Sequence, residues 1–311
     1  MSTGTRPSRL AALSLVILLA VTVRPGPAAP AGPVFTRGTW EGRTYRLWIP
    51  SRVDPERPLV VALHGCGQTP EDLALGTRLN QAAERRRLVV LYPAQRRGDN
   101  PSRCWNWFEP RHQSATRGEP AAILGLARRI QAEHGLREPR VLALGFSAGG
   151  FMAVTLACAA PATVAGLGVA AAGPYACAES AADALRCMRG RVPDADVATK
   201  ACEAAGGRAP ALRASLWHGA RDAVVSPANL VGLEAMLARL LEASAAEADT
   251  RAEARRTVHR DPHGRVVVES WLVAGMGHAW SGGDPRGTHT YPPGPDATAR
   301  MLDLLLPVAS R

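Results

Sequence analysis

The sequence predicts an α/β fold in which helices cover both faces of a mostly parallel central sheet. Its 311 residues are 46% hydrophobic and 21% charged, a composition typical of globular domains and unlike that of collagen, coiled coils or disordered chains. From about residue 44 onwards, short apolar runs alternate with segments of helical character. Unbroken apolar runs are typical of strands covered on both faces, and their alternation with helices implies right-handed crossovers and parallel pairing.

Residues 1–31 have the pattern of a secretory signal peptide. Arg6 and Arg9 precede an apolar run over residues 10–23, and a segment rich in Pro and Ala then offers cleavage near Ala29 or Ala31. The apolar run is shorter than the roughly 20 residues that span a bilayer, so we expect no membrane insertion once the signal is removed. Residues 32–311 are expected to form a single secreted domain, in the periplasm or the medium.

Basic residues outnumber acidic ones and give a formal net charge of +10, a balance that can indicate nucleic-acid or membrane-surface binding. Every cation except Lys200 is Arg, and the arginines form short scattered clusters such as residues 85–87 without interleaved aromatic residues. No zinc-finger or helix-turn-helix pattern accompanies them. We therefore expect a solvated charged surface and no nucleic-acid partner.

Strand-like segments recur along the chain. Residues 44–49 alternate polar and apolar side chains and stop at Pro50, as a half-buried edge strand does. The other strand-like runs are mostly apolar and are expected to be buried: residues 59–63, 88–92, 141–144, 214–217 and 266–273. In open parallel sheets ligands bind beyond the carboxyl ends of the strands, so the loops at those ends are the first candidates for a site.

Helices are expected between these strands. Thr69 offers an N-cap, followed by Pro70 and two acidic residues, for a helix that reaches about Arg86. Further helices are expected over residues 119–135 and over the small-residue run 148–160.

Two stretches, residues 93–118 and 173–210, show no clear periodicity and are too long for plain connections. We interpret both as loops at the site, and residues 173–210 as a cap-like or loop insertion. No internal repeat or second domain is indicated.

Residues 145–149 fit the pattern G-x-S-x-G and lie directly between an apolar strand and a small-residue helix. In this strand-turn-helix setting the pattern places a nucleophilic serine, here Ser147, on a sharp and strained turn. The flanking glycines would let the helix approach the strand closely. The alternative is a glycine-rich helix start with an inert hydroxyl.

A serine hydroxyl is a poor nucleophile at neutral pH, so it needs a general base and an acid that orients the base. With a G-x-S-x-G serine, the acid follows in the chain and the histidine comes last. Asp222 follows the strand-like run 214–217, and His278 lies in the glycine-framed segment 275–283. His289 is a rival base, and Asp222 could instead be a turn-capping aspartate.

Acyl transfer also needs hydrogen-bond donors for the developing oxyanion. Residues 64–69, here called the oxyanion loop, lie between a strand and a helix start. The backbone amide of Cys66 could therefore join that of Ala148 in binding the negative oxygen. A nucleophilic Cys66 is less well supported, because no His and Asn are placed around it.

The chain has six cysteines: Cys66, Cys104, Cys158, Cys177, Cys187 and Cys202. An even number in an exported chain favours disulfides. None forms the C-x-x-C pair of zinc ribbons, so no metal ligands are assigned. The pairing stays open, and Cys158, inside a small-residue helix, could be a buried thiol.

The chain contains six short and distinctive sequence blocks: LHGCGQT at 63–69, CWNWF at 104–108, GEP at 118–120, GFSAGG at 145–150, GPYAC at 173–177 and GHAWSGG at 277–283. In combination they resemble the polyhydroxybutyrate (PHB) depolymerase family of esterases, over about residues 40–306. The resemblance implies an α/β-hydrolase fold with a catalytic triad, which at the matching positions is Ser147, Asp222 and His278.

The resemblance further implies a disulfide between Cys66 and Cys104, and Trp280 as a wall for an acyl chain. Trp105 and Trp107 are additional candidates for substrate binding. The alternative is that these three rings only fill the space between loops.

Together these features predict a secreted serine esterase that forms an acyl-enzyme and requires no metal or organic cofactor. Short-chain poly(3-hydroxyalkanoate) or 3-hydroxybutyrate oligomer esters are the favoured substrates, with feruloyl or acetylxylan esters of plant polysaccharides as the alternative. A non-catalytic secreted binding protein on a hydrolase scaffold is the alternative of another class. Family depolymerases usually add a linker and a polymer-binding domain, which the sequence to Arg311 lacks, so attack on crystalline polymer is not expected. No obligate protein partner is indicated.

Overall fold

The computed structural model describes residues 1–2, 4, 32–208, 211–251 and 253–306. Most of the predicted signal peptide, residues 1–31, lies outside the described residues and stays a prediction. From Gly32 onward the described residues belong to one compact unit. No helix among the described residues is long and apolar enough to cross a membrane.

A large sheet forms the centre of this unit. The strands are β1 (Val34–Trp40), β2 (Arg43–Ile49), β3 (Leu59–Leu63), β4 (Val90–Pro93), β5 (Val141–Phe146), β6 (Val164–Ala170), β7 (Arg213–Gly219), β8 (Ser244–Arg251), β9 (Ala254–Arg260), β10 (Val266–Val273), β11 (Trp280–Ser281) and β12 (Thr290–Tyr291). In the described residues β1 to β10 form a ten-stranded sheet in the order β1-β2-β4-β3-β5-β6-β7-β10-β9-β8. The strands from β4 to β10 in that order pair in parallel. The outer pairs are antiparallel, and β11 with β12 forms a separate short ladder.

Helices cover both faces of the sheet. They are α1 (Pro70–Thr77), α2 (Leu79–Arg86), α3 (Gly118–Glu133), α4 (Ala148–Ala159), α5 (Ala181–Met188), α6 (Ala195–Gly206), α7 (Ala228–Leu240) and α8 (Ala297–Leu305). Alternate residues of β3 belong to two separate apolar cores: Val61 packs in the core that includes α3, α4 and α7, and Val60 in the core that includes α1, α2 and α8. Burial on both sides explains why the central strands are unbroken apolar runs, and the predicted mostly parallel α/β sheet is confirmed.

The helix predicted from Thr69 to Arg86 is in fact two helices. Thr69 is the N-cap, as predicted, and its hydroxyl accepts from the amide of Asp72 at 3.2 Å. The break falls at Arg78, whose φ is 55°. The carbonyl of Gly76 accepts a hydrogen bond from the amide of Asp284 at 2.8 Å, a tertiary contact that the local sequence does not reveal.

Residues 173–210, interpreted from sequence as a cap-like or loop insertion, carry α5 and α6 in their described part. A Cys177–Cys187 disulfide joins the start of this segment to α5, with an S–S distance of 2.13 Å. Cys158 on α4 pairs with Cys202 on α6, so the interpretation of Cys158 as a buried thiol is wrong. The Cys158–Cys202 bond fastens the segment to α4, and the Cys177–Cys187 bond lies within the segment.

The sequence pattern missed β6, because Gly166 and Gly168 interrupt its apolar run. Space explains the second glycine, since a Cβ at Gly168 would lie 2.4 Å from Leu144 and 2.9 Å from Met301. Glycine here lets α8 pack closely on the sheet. The polar, exposed edge strand β8 was also missed, because it has no apolar face to produce a signal.

Candidate active site

Ser147 occupies the turn between β5 and α4, at the carboxyl edge of the sheet. Its backbone has a φ of 54° and a ψ of −124°, a strained conformation for a residue with a side chain. A Cβ on Gly145 would lie 2.2 Å from the carbonyl oxygen of Gly149, and a Cβ on Gly149 would lie 2.1 Å from that of Leu63. Glycine at both positions therefore lets α4 begin directly against β5 and β3, which holds Ser147 at the head of the helix.

His278 links Ser147 to Asp222 by hydrogen bonds. Its Nε2 lies 3.0 Å from Ser147 Oγ, and its Nδ1 lies 2.8 Å from Asp222 Oδ2. Because a carboxylate can only accept, Nδ1 of His278 donates, and in the neutral ring Nε2 is left to accept the serine proton. The side chain of Asp222 is 0% exposed and that of His278 is 10% exposed. A continuous hydrogen-bonded chain thus runs from the buried carboxylate to the serine.

The second oxygen of Asp222 is held by its own turn. Oδ1 accepts from the amides of Val224 and Val225, each at 2.8 Å. Burial by itself raises the pKa of Asp222, but the hydrogen bond and charge of His278 together with these two amides outweigh it and hold the pKa below its usual value. The carboxylate is therefore ionised at neutral pH. Asp222 therefore accepts hydrogen bonds from its own turn and from His278 at the same time, and its catalytic role stays a prediction.

His218 is a buried neighbour of Asp222 that sequence reasoning did not assign. Its Nε2 donates to the carbonyl of Val225 at 2.8 Å and lies 3.5 Å from Asp222 Oδ2. Burial lowers the pKa of His218, which keeps the ring neutral at neutral pH. Asp222 is thus left to stabilise a positive charge on His278 rather than on His218.

The oxyanion loop, residues 64–69, packs against the Ser147 turn. A Cβ on Gly65 would lie 2.9 Å from the ring of Phe146, so the loop follows the strand end closely. Among the described residues, the amides of Cys66 and Ala148 have no hydrogen-bond acceptor, and Ala148 begins α4, where helical N–H groups lack partners and the dipole favours negative charge. Both amides are available, and their role as oxyanion donors stays a prediction.

The Cys66–Cys104 disulfide implied by the family resemblance is present, with an S–S distance of 2.05 Å. Beside it, the amide of Gly67 donates to the carbonyl of Ser102 at 2.8 Å, and the guanidinium of Arg103 donates to the carbonyl of Gly67. One covalent bond and two hydrogen bonds therefore fix the main chain that carries the Cys66 amide.

Gln68 connects the oxyanion loop to the segment that precedes β12. Its Oε1 accepts from the amide of Gly65 at 2.9 Å, and its Nε2 donates to Asp72 at 2.8 Å and to the hydroxyl of Thr288 at 3.1 Å. Thr288 also donates from its amide to Asp72 at 2.9 Å. This bridge is not predictable from the sequence, because a glutamine before a helix carries no chemical signal of its own.

The three tryptophans proposed for substrate binding are buried, with exposures of 1% for Trp105, 6% for Trp107 and 3% for Trp280. The indole N–H of Trp105 donates to the carbonyl of His64, and that of Trp280 to Thr298, each at 3.0 Å. Trp107 stacks on an aromatic ring of α4, with the centroids 4.0 Å apart. These contacts favour the packing alternative for Trp105 and Trp280, and the substrate-binding roles stay predictions.

His289, the rival base, lies beside the triad. Its ring centroid is 5.9 Å from that of His278 and 5.7 Å from that of Phe146. The hydrogen bonds to Ser147 and Asp222 are made by His278. The geometry therefore brings Ser147, Asp222 and His278 together and leaves His289 at their edge. Within the described residues, no group of three or more His, Cys, Asp or Glu side chains could hold a metal ion.

A serine on a strand-turn-helix elbow, joined to His and Asp at the carboxyl edge of a mostly parallel sheet, is the arrangement that defines α/β hydrolases. An acetyl xylan esterase from Aspergillus awamori shares this fold with a TM-score of 0.69 and 17% identity, over 79% of this chain and 94% of that one. The predicted α/β-hydrolase fold is confirmed.

Sequence comparisons are more specific. The family described as Esterase PHB depolymerase matches residues 43–260. Poly(3-hydroxyalkanoate) depolymerase C from Paucimonas lemoignei is 33% identical over 236 residues, which cover 74% of this chain and 56% of that protein. Feruloyl esterase B from Thermothelomyces thermophilus is 28% identical over 194 residues, covering 58% of this chain and 64% of that protein. The chain belongs to the PHB depolymerase esterase family, as its motifs predict, and spans about half to two thirds of the length of these relatives.

Proposed function

We propose that this chain is a secreted serine esterase that hydrolyses carboxylic esters through an acyl-enzyme, with short-chain 3-hydroxyalkanoate esters as its preferred substrates. The observation that carries the proposal is the pair of hydrogen bonds from His278, 3.0 Å to Ser147 and 2.8 Å to Asp222. A non-catalytic binding protein would have no need of this alignment. The substrate class is supported by the similarity to the poly(3-hydroxyalkanoate) depolymerase of Paucimonas lemoignei.

Acylation comes first. Ser147 Oγ attacks the ester carbonyl carbon while His278 Nε2 takes the hydroxyl proton, and Asp222 stabilises the resulting imidazolium. The amides of Cys66 and Ala148 bind the tetrahedral oxyanion. The imidazolium then gives its proton to the leaving alcohol oxygen as the C–O bond breaks, and the acyl group stays on Ser147.

Deacylation repeats these steps with water as the nucleophile. His278 takes a proton from water, the oxygen adds to the acyl carbon, and the Ser147 oxygen leaves with the proton that His278 returns. The carboxylic acid is released and the resting hydrogen bonds reform. Every step is a proton transfer or an acyl transfer that these side chains can perform, so no cofactor is invoked.

Export is supported by the disulfides of the described residues: Cys66–Cys104, Cys158–Cys202 and Cys177–Cys187. Disulfides persist in oxidising compartments and are rare in the cytosol. Together with the signal-like residues 1–31, they support a single catalytic domain over residues 32–311 that works in the periplasm or the medium. The expected partner is the ester substrate.

A feruloyl or acetylxylan esterase is the second candidate. The similarity to feruloyl esterase B from Thermothelomyces thermophilus favours it. The two candidates use the same acyl-transfer chemistry and differ in the acyl and alcohol groups that the surrounding loops accept.

Labelling with a fluorophosphonate, with the adduct located by peptide mass spectrometry, tests the proposal. We expect modification of Ser147, loss of labelling in Ser147→Ala, and normal labelling in Ser51→Ala, a control at an exposed serine. Absence of an adduct on Ser147 in the folded protein would instead indicate the binding-protein alternative.

Substrate choice is a ratio of transition-state affinities and is measured by kcat/KM. We suggest measuring it, on protein that reacts with the fluorophosphonate, for three substrates: hydroxybutyrate oligomers, methyl ferulate and acetylated xylan. We expect the hydroxybutyrate oligomers to have the highest value. A higher value for methyl ferulate or acetylated xylan would favour the second candidate.

A further inference from the structure

His289 is an exposed side chain beside the triad that the proposed mechanism leaves unused. Its ring is exposed to solvent and meets the ring of His278 edge to face, with 5.9 Å between centroids and 79° between planes. Its other ring neighbour is Phe146, at 5.7 Å. Neither nitrogen of the His289 ring is hydrogen-bonded to a described residue, so both are available to a bound molecule.

The backbone at His289 is in the left-handed region and is held from both sides. Its φ is 53°, a region that side chains other than those of Asn, Asp and His rarely adopt. Its carbonyl accepts from the amide of Trp280 at 2.7 Å. The preceding Thr288 is fastened to Gln68 and Asp72. These hydrogen bonds fix the main chain that carries the His289 ring.

The neighbourhood of His278 is the alcohol side of a bound ester. During acylation Nε2 of His278 gives its proton to the leaving oxygen, so that oxygen must lie within hydrogen-bonding reach of this ring. The proposed oxyanion donors, the amides of Cys66 and Ala148, lie after β3 and at the start of α4, whereas His278 lies between β10 and β11. A polar ring 5.9 Å from His278 is therefore positioned to meet atoms of the alcohol that lie beyond the leaving oxygen.

We propose that His289 binds the alcohol portion of the ester and selects alcohols that carry a second oxygen on a nearby carbon. The carboxyl end of a 3-hydroxyacyl unit and the neighbouring hydroxyl of a sugar both supply such an oxygen, whereas a simple alkyl alcohol does not. An imidazole can donate to or accept from that oxygen. This inference rests on the proposed esterase function and specifies the chemistry that its leaving group must have.

Two esters with the same acyl group test the proposal. 1-Methoxypropan-2-yl butanoate carries an ether oxygen near the leaving oxygen, and pentan-2-yl butanoate, which has the same chain length, does not; each molecule contains a single ester bond. Both give the same butanoyl-enzyme, so deacylation is common to them, and the ratio of their kcat/KM values reports recognition of the alcohol.

The informative variant is His289→Gly, which deletes the ring and accepts the positive φ without strain. We expect it to lower the ratio of kcat/KM for the oxygen-bearing ester to that for the alkyl ester by about 3- to 10-fold, the range of one hydrogen bond. His289→Asn, which keeps a polar group in a backbone region that Asn tolerates, should recover part of the ratio. His263→Asn, at an exposed histidine of another loop, is the control and should keep the wild-type ratio.

An unchanged ratio in folded His289→Gly overturns the proposal. If both kcat/KM values fall by the same factor, the ratio is also unchanged, and His289 then supports the shape of the triad instead of binding the alcohol. Thermal unfolding of each variant shows that it is folded. Failure of the esterase proposal is seen separately, as absence of fluorophosphonate labelling at Ser147 in the wild-type protein.

Discussion

Asp222 acts through each of its oxygens separately, and this division decides how the site behaves at the scale of single residues. Oδ1 takes two amides of its own turn, while Oδ2 faces His278. The turn therefore fixes the carboxylate before His278 is considered, and the carboxylate fixes which nitrogen of His278 carries the proton.

Replacing Asp222 by Asn tests this arrangement. The amide group keeps the size of the side chain, but its N–H₂ can donate to the histidine and favour the wrong tautomer. We expect kcat for a soluble butanoate ester at neutral pH to fall by about 10⁴-fold. Asp303→Asn, at an exposed carboxylate on α8, is the matched control. A loss of less than about 10-fold in Asp222→Asn would show that the carboxylate does not orient His278.

The residues brought together at the site differ in how far the sequence predicts them. Chain order and local setting select Ser147, Asp222 and His278, since few residues of these types follow the right kind of strand. Gln68 and His218 escape the same reasoning because their importance lies in hydrogen bonds to distant or buried groups. A one-dimensional pattern does not carry that information.

At the scale of elements, the site depends on how closely α4 begins against the ends of β5 and β3. Gly149 is the contact point, because any side chain there meets main-chain atoms of Leu63 and His64 rather than a flexible side chain. The oxyanion loop starts at the same place, so a shift of α4 would move both Ser147 and the loop.

Gly149→Ala should therefore reduce both stability and activity. A Cβ placed 2.1 Å from a carbonyl oxygen forces the backbone to move, and overpacking of this kind costs about 1–3 kcal/mol. We expect a lower urea midpoint and slower fluorophosphonate labelling of Ser147. Gly98→Ala, where a Cβ meets nothing within 4 Å, is the control. Wild-type stability in Gly149→Ala would contradict the close approach described above.

The disulfide beside the oxyanion loop gives a second prediction at this scale. Replacing Cys66 and Cys104 together by Ser should lower stability by about 2–4 kcal/mol and lower kcat by about 10- to 100-fold, because the loop that presents the Cys66 amide is released. Replacing Cys177 and Cys187 by Ser should lower stability with a smaller effect on kcat. Steady-state kinetics measures kcat and urea unfolding measures stability in both double variants. Equal changes in kcat in the two variants would count against the role of the loop.

Helices and strands were predicted best where they are buried on both faces, and worst where tertiary contacts determine their bounds. The runs that became β3 and β10 are apolar because helices cover them, and their bounds follow the pattern. The break at Arg78 and the strand β6 depend on the packing of Gly76 and Gly168 against other elements. Helix and strand propensities depend on the local sequence and therefore do not reveal those contacts.

At the scale of the whole molecule, buried histidines make stability depend on pH. Burial lowers the pKa of His64, His112, His134 and His218, and that of His64 falls from 6.5 to about 4. With the folded-state pKa depressed, the unfolded chain binds protons first as the pH falls. Stability is therefore independent of these groups well above pH 6.5 and declines as the pH drops through the interval down to about 4. His64 alone accounts for about 3 kcal/mol at the acidic end.

Urea unfolding at several pH values between about 7.5 and 4.5 checks this prediction. We expect the unfolding free energy of the wild type to decrease steadily over that range, and to decrease less in His64→Gln, whose side chain does not titrate. A wild-type free energy that is constant or rises on acidification would contradict the assignment of neutral buried histidines.

In the part of the chain that the structure describes, the sheet that builds the site ends in two edge strands, β1 and β8. Unpaired edge strands invite a second polypeptide to extend the sheet. Here β1 carries an exposed Arg37, and β8 carries Glu247, which is paired with Arg260. An incoming strand would have to desolvate these charged side chains. The edge strands therefore disfavour fibril-like association of folded molecules at high protein concentration.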